Sequence, residues 1–411
     1  MPPSFKKAEL SATTSHLVVL AHGIDGDSSD LFAIRDEILG KAVKGLECWQ
    51  TSANHGAVTH TGVLACANLL WDALRSPLEG LCSARQNSGA SNKLRISFIG
   101  HAMGGLILRV VAAKVHATGL SVDLDTLLCI SSPHLGCRQL GKGGAGGIAP
   151  LMNFQGWGHS IMRAGLRLIK GDTGPDLLLD NDTLALITDE KHCLALRAFR
   201  RRINVCNGSE DFVVNCESAS LLSAEEAAAV VPVSIAACRR PGAGVLWRPS
   251  EEEGDALLAR GRAATRSPGE AAFSLRANAA SNDPRAAEAA AKAAAFAAAW
   301  GGEAMIRDTR ERTMLLSPLG DSWNPRETTK AQTTWDDFGA RRGIMAADIL
   351  KRMRAVGDWE LHLTHFFERS SMAAGGISSP HVDITNGREV LQHLALLMID
   401  AGTVSAAEEI V

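Results

Sequence analysis

The segment Ile99-Gly100-His101-Ala102-Met103-Gly104-Gly105 lies between an apolar run that reads as a strand and an apolar run at helical spacing. Glycines at 100 and 104 suit a sharp strand-to-helix turn, where a side chain would collide with its surroundings. A turn of the form G-x-S-x-G lifts its central residue above the sheet at a helix N-terminus. There a hydroxyl can attack an acyl carbon while the next backbone N–H, here that of Met103, stabilises the oxyanion. The central residue in this chain is Ala102. A methyl group cannot attack, so the scaffold of a nucleophile site stands without its nucleophile.

Three other segments carry groups that would complete such a site. His22-Gly23-Ile24-Asp25-Gly26 follows the first apolar run and can offer the Ile24 N–H as a second oxyanion donor, with His22 and Gly23 lining the pocket. Asp211 falls in a loop behind a predicted strand, where an acid would orient a histidine. His381, in Ser379-Pro380-His381-Val382-Asp383-Ile384, precedes the last predicted helix, where the base belongs. The chain order 102, 211, 381 gives nucleophile, acid, base, which is the α/β-hydrolase order. His101, Gly104 and His134 flank the site, and the two histidines either line the pocket or serve as hydrogen-bonding groups.

Rivals exist for each role. Asp172, Asp176 and Asp180 also lie between elbow and base, but not behind a predicted strand, and Glu210 adjoins Asp211. His362 and His365 fall inside a predicted strand. Ser131 and Ser132 follow a neighbouring strand but sit on no elbow. The His and Asp residues lack metal-ligand spacing, so no metal is expected. Gly141 to Gly147 lacks the order of a phosphate loop, so no nucleotide cofactor is expected.

The elements that must position these groups follow from periodicity. Short apolar runs at His16–Ala21, Leu94–Ile99, Thr126–Ser131 and Ile203–Cys206 suit strands buried on both faces. Residues 28–44, Gly62–Leu74 and Leu106–Val115 have helical spacing, and 83–93 reads as a loop. Leu194–Arg202 reads as a helix end and 151–170 as a helix covering a pocket. Later come a helix at Ala346–Ala355, a strand at Trp359–Phe367 and a final helix at Asn386–Ala401. The alternation predicts an α/β fold with a mostly parallel sheet and helices on both faces.

Composition bounds the rest. With 42 basic and 45 acidic residues the net charge is −3, so no positive field gathers nucleic acid. Nine scattered cysteines without a C-x-x-C pair point to reduced thiols and a cytoplasmic location. No signal peptide or transmembrane run is visible; peripheral membrane contact stays open. Residues 1–14 read as a disordered leader. Between 239 and 312 the chain turns to Ala, Arg, Gly, Ser and Glu, with eleven alanines in Ala286–Ala299. That stretch reads as a low-complexity insertion, partly disordered, with 313–334 a connecting loop. The hydrolase domain is then 15–238 plus 335–411. Tyrosine is absent.

The chain resembles the lipase-like serine esterases of eukaryotes, within the α/β-hydrolase superfamily. The resemblance rests on His16 to Gly23, Ile99 to Gly105, Ser132-Pro133-His134-Leu135-Gly136, Leu194 to Asp211, and Trp359 to Ile384. It implies an α/β-hydrolase fold, with Asp211 matching the triad acid and His381 the base. The family carries Ser where Ala102 stands, and commonly Tyr near Cys206. It also implies hydrolysis of carboxylic esters, with lipid esters the expected substrates. Ala102 makes this form inactive by that expectation. The alternatives are a non-catalytic lipid-binding protein on the same fold, or an interaction scaffold working through 239–312.

Overall fold

A computed structural model describes residues 10–90, 92–137, 170–208, 211, 213–238, 246–247, 256, 314–316, 339–364 and 388–399. Six parallel strands form the body of the sheet: β1 (His16–Ala21), β2 (Leu46–Trp49), β3 (Leu94–His101), β4 (Val122–Ile130), β5 (Arg201–Asn207) and β8 (Trp359–Thr364). Their spatial order is β2-β1-β3-β4-β5-β8. β6 (Leu246–Trp247) and β7 (Met314–Leu316) pair antiparallel with β8 at the far edge.

The apolar runs are continuous because both faces are covered. Along β1, Leu17, Val19 and Ala21 enter one core cluster while Val18 and Leu20 enter the other. The first cluster holds α2 (Val63–Asn87), α3 (Met103–Ala117), α6 (Glu190–Arg197), α8 (Ala224–Cys238) and α9 (Gly339–Arg354). The second holds α1 (Phe32–Gly40) and α10 (Arg388–Met398), with Ile34, Ile38, Val390 and Leu394 facing the sheet. Strand alternation thus sends successive side chains to opposite helical layers. This is an α/β-hydrolase fold: a mostly parallel sheet with helices on both faces.

Several boundaries differ from the sequence expectation. β2 was not expected; only its ends, Leu46 and Trp49, are buried, which leaves a weak apolar signal. α2 runs on through Pro77 to Asn87, over the start of the expected 83–93 loop, because Leu78 and Leu81 keep its buried stripe going. Arg201 and Arg202 belong to β5, not to a helix end. Short helices α4 (Thr173–Leu177), α5 (Thr183–Leu186) and α7 (Cys216–Ser220) are additional, as is α8. Leu10 to Thr14, expected within the disordered leader, pack on the body: Thr14 is buried and its carbonyl accepts from Arg85. Leu246–Trp247 and Met314–Leu316, expected within the insertion and the connecting loop, return to the sheet at β8. Apart from Ala256, the rest of 239–312 lies outside the described residues, as does the expected helix at 151–170 apart from Lys170.

Candidate active site

β3 ends at His101 and α3 starts at Met103, so Ala102 alone makes the turn, at φ 50° and ψ −124°. A positive φ is rare for a residue with a Cβ. Its surroundings hold it there. The Ala102 N–H donates to the Ile130 carbonyl at the end of β4 (2.8 Å), and its own carbonyl accepts from the Gly105 N–H (3.2 Å). A Cβ on Gly100 would run into the Gly105 backbone, and one on Gly104 into the Ala21 carbonyl. Strand, turn and helix close on each other because both positions are glycine.

The His22–Gly23 turn faces this elbow. A Cβ on Gly23 would come within 2.9 Å of the Ala102 Cβ. The Gly23 carbonyl accepts from His22 Nδ1 at 2.9 Å and from the Gly26 N–H at 3.4 Å. In a trans peptide the N–H points opposite to the carbonyl. Holding the Gly23 carbonyl therefore fixes the direction of the Ile24 N–H on the same peptide unit. Met103 opens α3, where the first N–H groups have no intrahelical acceptor. His101 is buried against the Gly23 turn. The cavity at the end of β1, between His22, Asn54, Leu70 and Ile107, is water-sized.

Asp211 follows β5. Its Oδ1 accepts from the backbone N–H groups of Val213 (3.0 Å) and Val214 (2.9 Å), and its Oδ2 from Asn207 Nδ2 (3.2 Å). Asn207 is buried and its Oδ1 accepts from the Thr364 hydroxyl at the end of β8 (2.7 Å). Sequence reasoning missed Asn207 and Thr364, which hold the candidate acid. The only local sign of Asn207 was an amide at a strand end four residues before the acid.

Two rivals for the acid, Asp176 and Asp180, are engaged elsewhere. Asp176 Oδ2 accepts from the Val63 N–H at the start of α2 (2.8 Å), and Asp180 pairs with Arg342. His362 is fully buried and meets His393 at 3.3 Å. His134, expected to flank the pocket, is fully buried in the core. Its Nε2 meets Asn204 Oδ1 at 3.1 Å, its Nδ1 meets Arg109 at 3.4 Å, and its ring packs near Trp359. Burial, then the Arg109 charge, push its pKa down to about 3, so it is a neutral structural imidazole. His381, His365 and Glu210 lie outside the described residues.

Among the described residues, neither Cys137 nor Cys206, the thiols that feel the Asp211 charge, stands in for a hydroxyl. Burial first, then the Asp211 charge, push Cys137 up to about 12. Burial and the neighbours Cys216 and Asp211 push Cys206 well up as well. A neutral thiol is a poor nucleophile. Among the described residues no cluster of His, Cys, Asp or Glu could hold a metal ion, and no helix is long and apolar enough to cross a membrane.

Residues 11–223, more than half of the 411, match a family described as "Putative serine esterase (DUF676)". Among solved structures, the chain is similar to a lipase-esterase related protein of Clostridium acetobutylicum, at 12% identity over 51% of this chain and 81% of that one, TM-score 0.26. It is also similar to lipase B of Aspergillus fumigatus, at 14% identity over 55% of this chain and 44% of that one, TM-score 0.32. A monoacylglycerol lipase of Paleococcus ferrophilus matches at 14% identity over 49% and 76%, TM-score 0.28.

Proposed function

The chain belongs to the serine esterase family that its residues 11–223 match, and from that premise we propose that its site is an acyl-transfer centre for carboxylic esters, those of lipids above all, with the nucleophile missing. In this reading position 102 faces the acyl carbon, and the N–H groups of Ile24 and Met103 receive the oxyanion. Asp211 orients His381, which serves as the base. With a serine at 102, the hydroxyl proton would pass to His381 as the oxygen attacks, and back to the leaving alkoxide. With Ala102 no acyl-enzyme forms, so this form is inactive.

The observation that carries the reading is the backbone of Ala102, at φ 50° and ψ −124°. Such a conformation costs a non-glycine residue about 1–3 kcal/mol. The turn keeps a geometry whose use is to present a nucleophile, although the residue in it cannot react.

The test is Ala102→Ser, assayed on short-chain and long-chain esters. Loss of a triad serine lowers kcat by about 10⁶, so its return should raise turnover by several orders of magnitude. A folded Ala102→Ser protein without turnover on any ester would end the reading.

A second reading has the same fold bind lipid without turnover, favoured by the methyl group at 102. Mass analysis of lipid carried through purification separates the two. A cytoplasmic place belongs to the proposal and rests on the thiol usage of the sequence; peripheral membrane contact belongs to it through the lipid esters proposed as substrates.

A further inference from the structure

An oxyanion donor works only if its peptide is held where charge will develop. The Ile24 N–H is followed by Asp25, which stands in the left-handed region at φ 59°. The Asp25 N–H donates to Thr59 Oγ1 at 2.9 Å. Thr59 is fully buried, and its hydroxyl donates to the Gly56 carbonyl at 2.6 Å. The Gly56 N–H in turn donates to the Gly26 carbonyl at 2.9 Å. The 3₁₀ turn Gly56–Thr61 therefore holds the loop on both sides of Asp25.

The Asp25 side chain closes the arrangement. One carboxylate oxygen accepts from His60 Nε2 at 2.6 Å; the other is paired with Lys170 Nζ. Burial tends to raise this carboxyl, but hydrogen bonds from Lys170 and His60 outweigh it and hold the group below its usual range. Lys170 belongs to the segment leading into α4. There the Thr173 hydroxyl donates to the Thr59 carbonyl (2.6 Å) and accepts from the Gly62 N–H (2.9 Å). Three segments far apart in sequence converge on the residue after the expected donor. A surface ion pair placed for stability alone gains little. This one fixes a left-handed residue whose N-terminal peptide bond is one residue from the proposed oxyanion donor.

We propose that Asp25, clamped by His60 and Lys170, is a positioning residue that keeps the Gly23–Ile24 peptide aimed at position 102. The proposal rests on the reading of Ile24 as an oxyanion donor, and its test separates the two. Amide exchange is measured over residues 23–27 in the Ala102 chain carrying His60→Gln with Lys170→Met, and in one carrying Lys170→Arg. The double variant should exchange at least about 10-fold faster there, with the sheet amides unchanged, while Lys170→Arg keeps the parent rate. Equal exchange in all three overturns the clamp. The same substitutions are then placed on Ala102→Ser. Removing an oxyanion donor outright costs about 10²–10³ in kcat, so loosening one should cost about 10-fold in kcat at unchanged KM, restored by Lys170→Arg. An active Ala102→Ser protein whose kcat ignores the double variant overturns the positioning role. An inactive Ala102→Ser protein with faster exchange in the double variant counts against the esterase reading alone and leaves the clamp standing.

Discussion

Asn207 Nδ2 donates to Asp211 Oδ2 at 3.2 Å while Asn207 Oδ1 accepts from the Thr364 hydroxyl at 2.7 Å. The amide thus ties the proposed acid to the end of β8, the strand that precedes, in sequence, the stretch carrying His381. It adds a side-chain link between two strands, β5 and β8, that already pair through their backbones. Three donors among the described residues reach the two Asp211 oxygens.

That relationship can be measured. Asn207→Ala leaves Asp211 Oδ2 without its amide donor and leaves the buried Thr364 hydroxyl without its nearest acceptor. The stability loss should be about 1–3 kcal/mol by chemical denaturation. On the Ala102→Ser background kcat should also fall by about 10-fold or more, because a less fixed acid orients the base less well. Full activity in that double variant would mean that Asn207 has only a structural role.

Ala102 itself gives a test free of any substrate. Its left-handed φ costs about 1–3 kcal/mol, and glycine relieves it at an entropic cost of about 0.5–1 kcal/mol. Ala102→Gly should therefore raise stability by between about 0 and 2.5 kcal/mol, read as a rise of up to several degrees in Tm. A lower Tm would show that the turn is not strained.

A buried carboxylate at the opposite end of the strands sets an acid limit on stability. Burial pushes Asp125 up, but hydrogen bonds from Arg200 and the charges of Arg95 and Arg200 prevail and hold it at about 2. A depressed folded pKa adds stability that is complete above the ordinary value of 3.8 and is lost as pH falls toward about 2. Asp125→Asn should cost about 2 kcal/mol at pH 7. Its stability curve should meet that of the parent near pH 2. A constant gap down to that pH would mean the ion pairs contribute nothing through the charge of Asp125.

How much of this was legible depends on whether the cause is local. β1, β3, β4 and β5 are buried on both faces, and such burial leaves an unbroken apolar run. β2 exposes its middle residues in part and left too little to read. The elbow was legible because Gly100 and Gly104 mark close approaches that a side chain would prevent. His134 was read as flanking the site, yet Asn204, Arg109 and Trp359 draw it into the core from distant parts of the chain. The Asp25 clamp joins residues 35 and 145 positions apart, and no spacing announces it.

The two glycine classes in this chain can be told apart by one matched pair of substitutions. A Cβ at Gly104 would meet the Ala21 carbonyl and then the His22 carbonyl, both backbone atoms that cannot swing aside. Gly104→Ala must therefore push α3 off the end of β1, and the cost should exceed about 3 kcal/mol, seen as a large drop in Tm or a loss of folded protein. Gly80 lies inside α2 with nothing within 4 Å of an added Cβ. There alanine only removes backbone freedom from the unfolded chain, so Gly80→Ala should gain about 0.5–1 kcal/mol. Similar effects at the two positions would mean that the elbow glycine is not held by the close approach of α3 to β1, and that the geometry around Ala102 is looser than its contacts require.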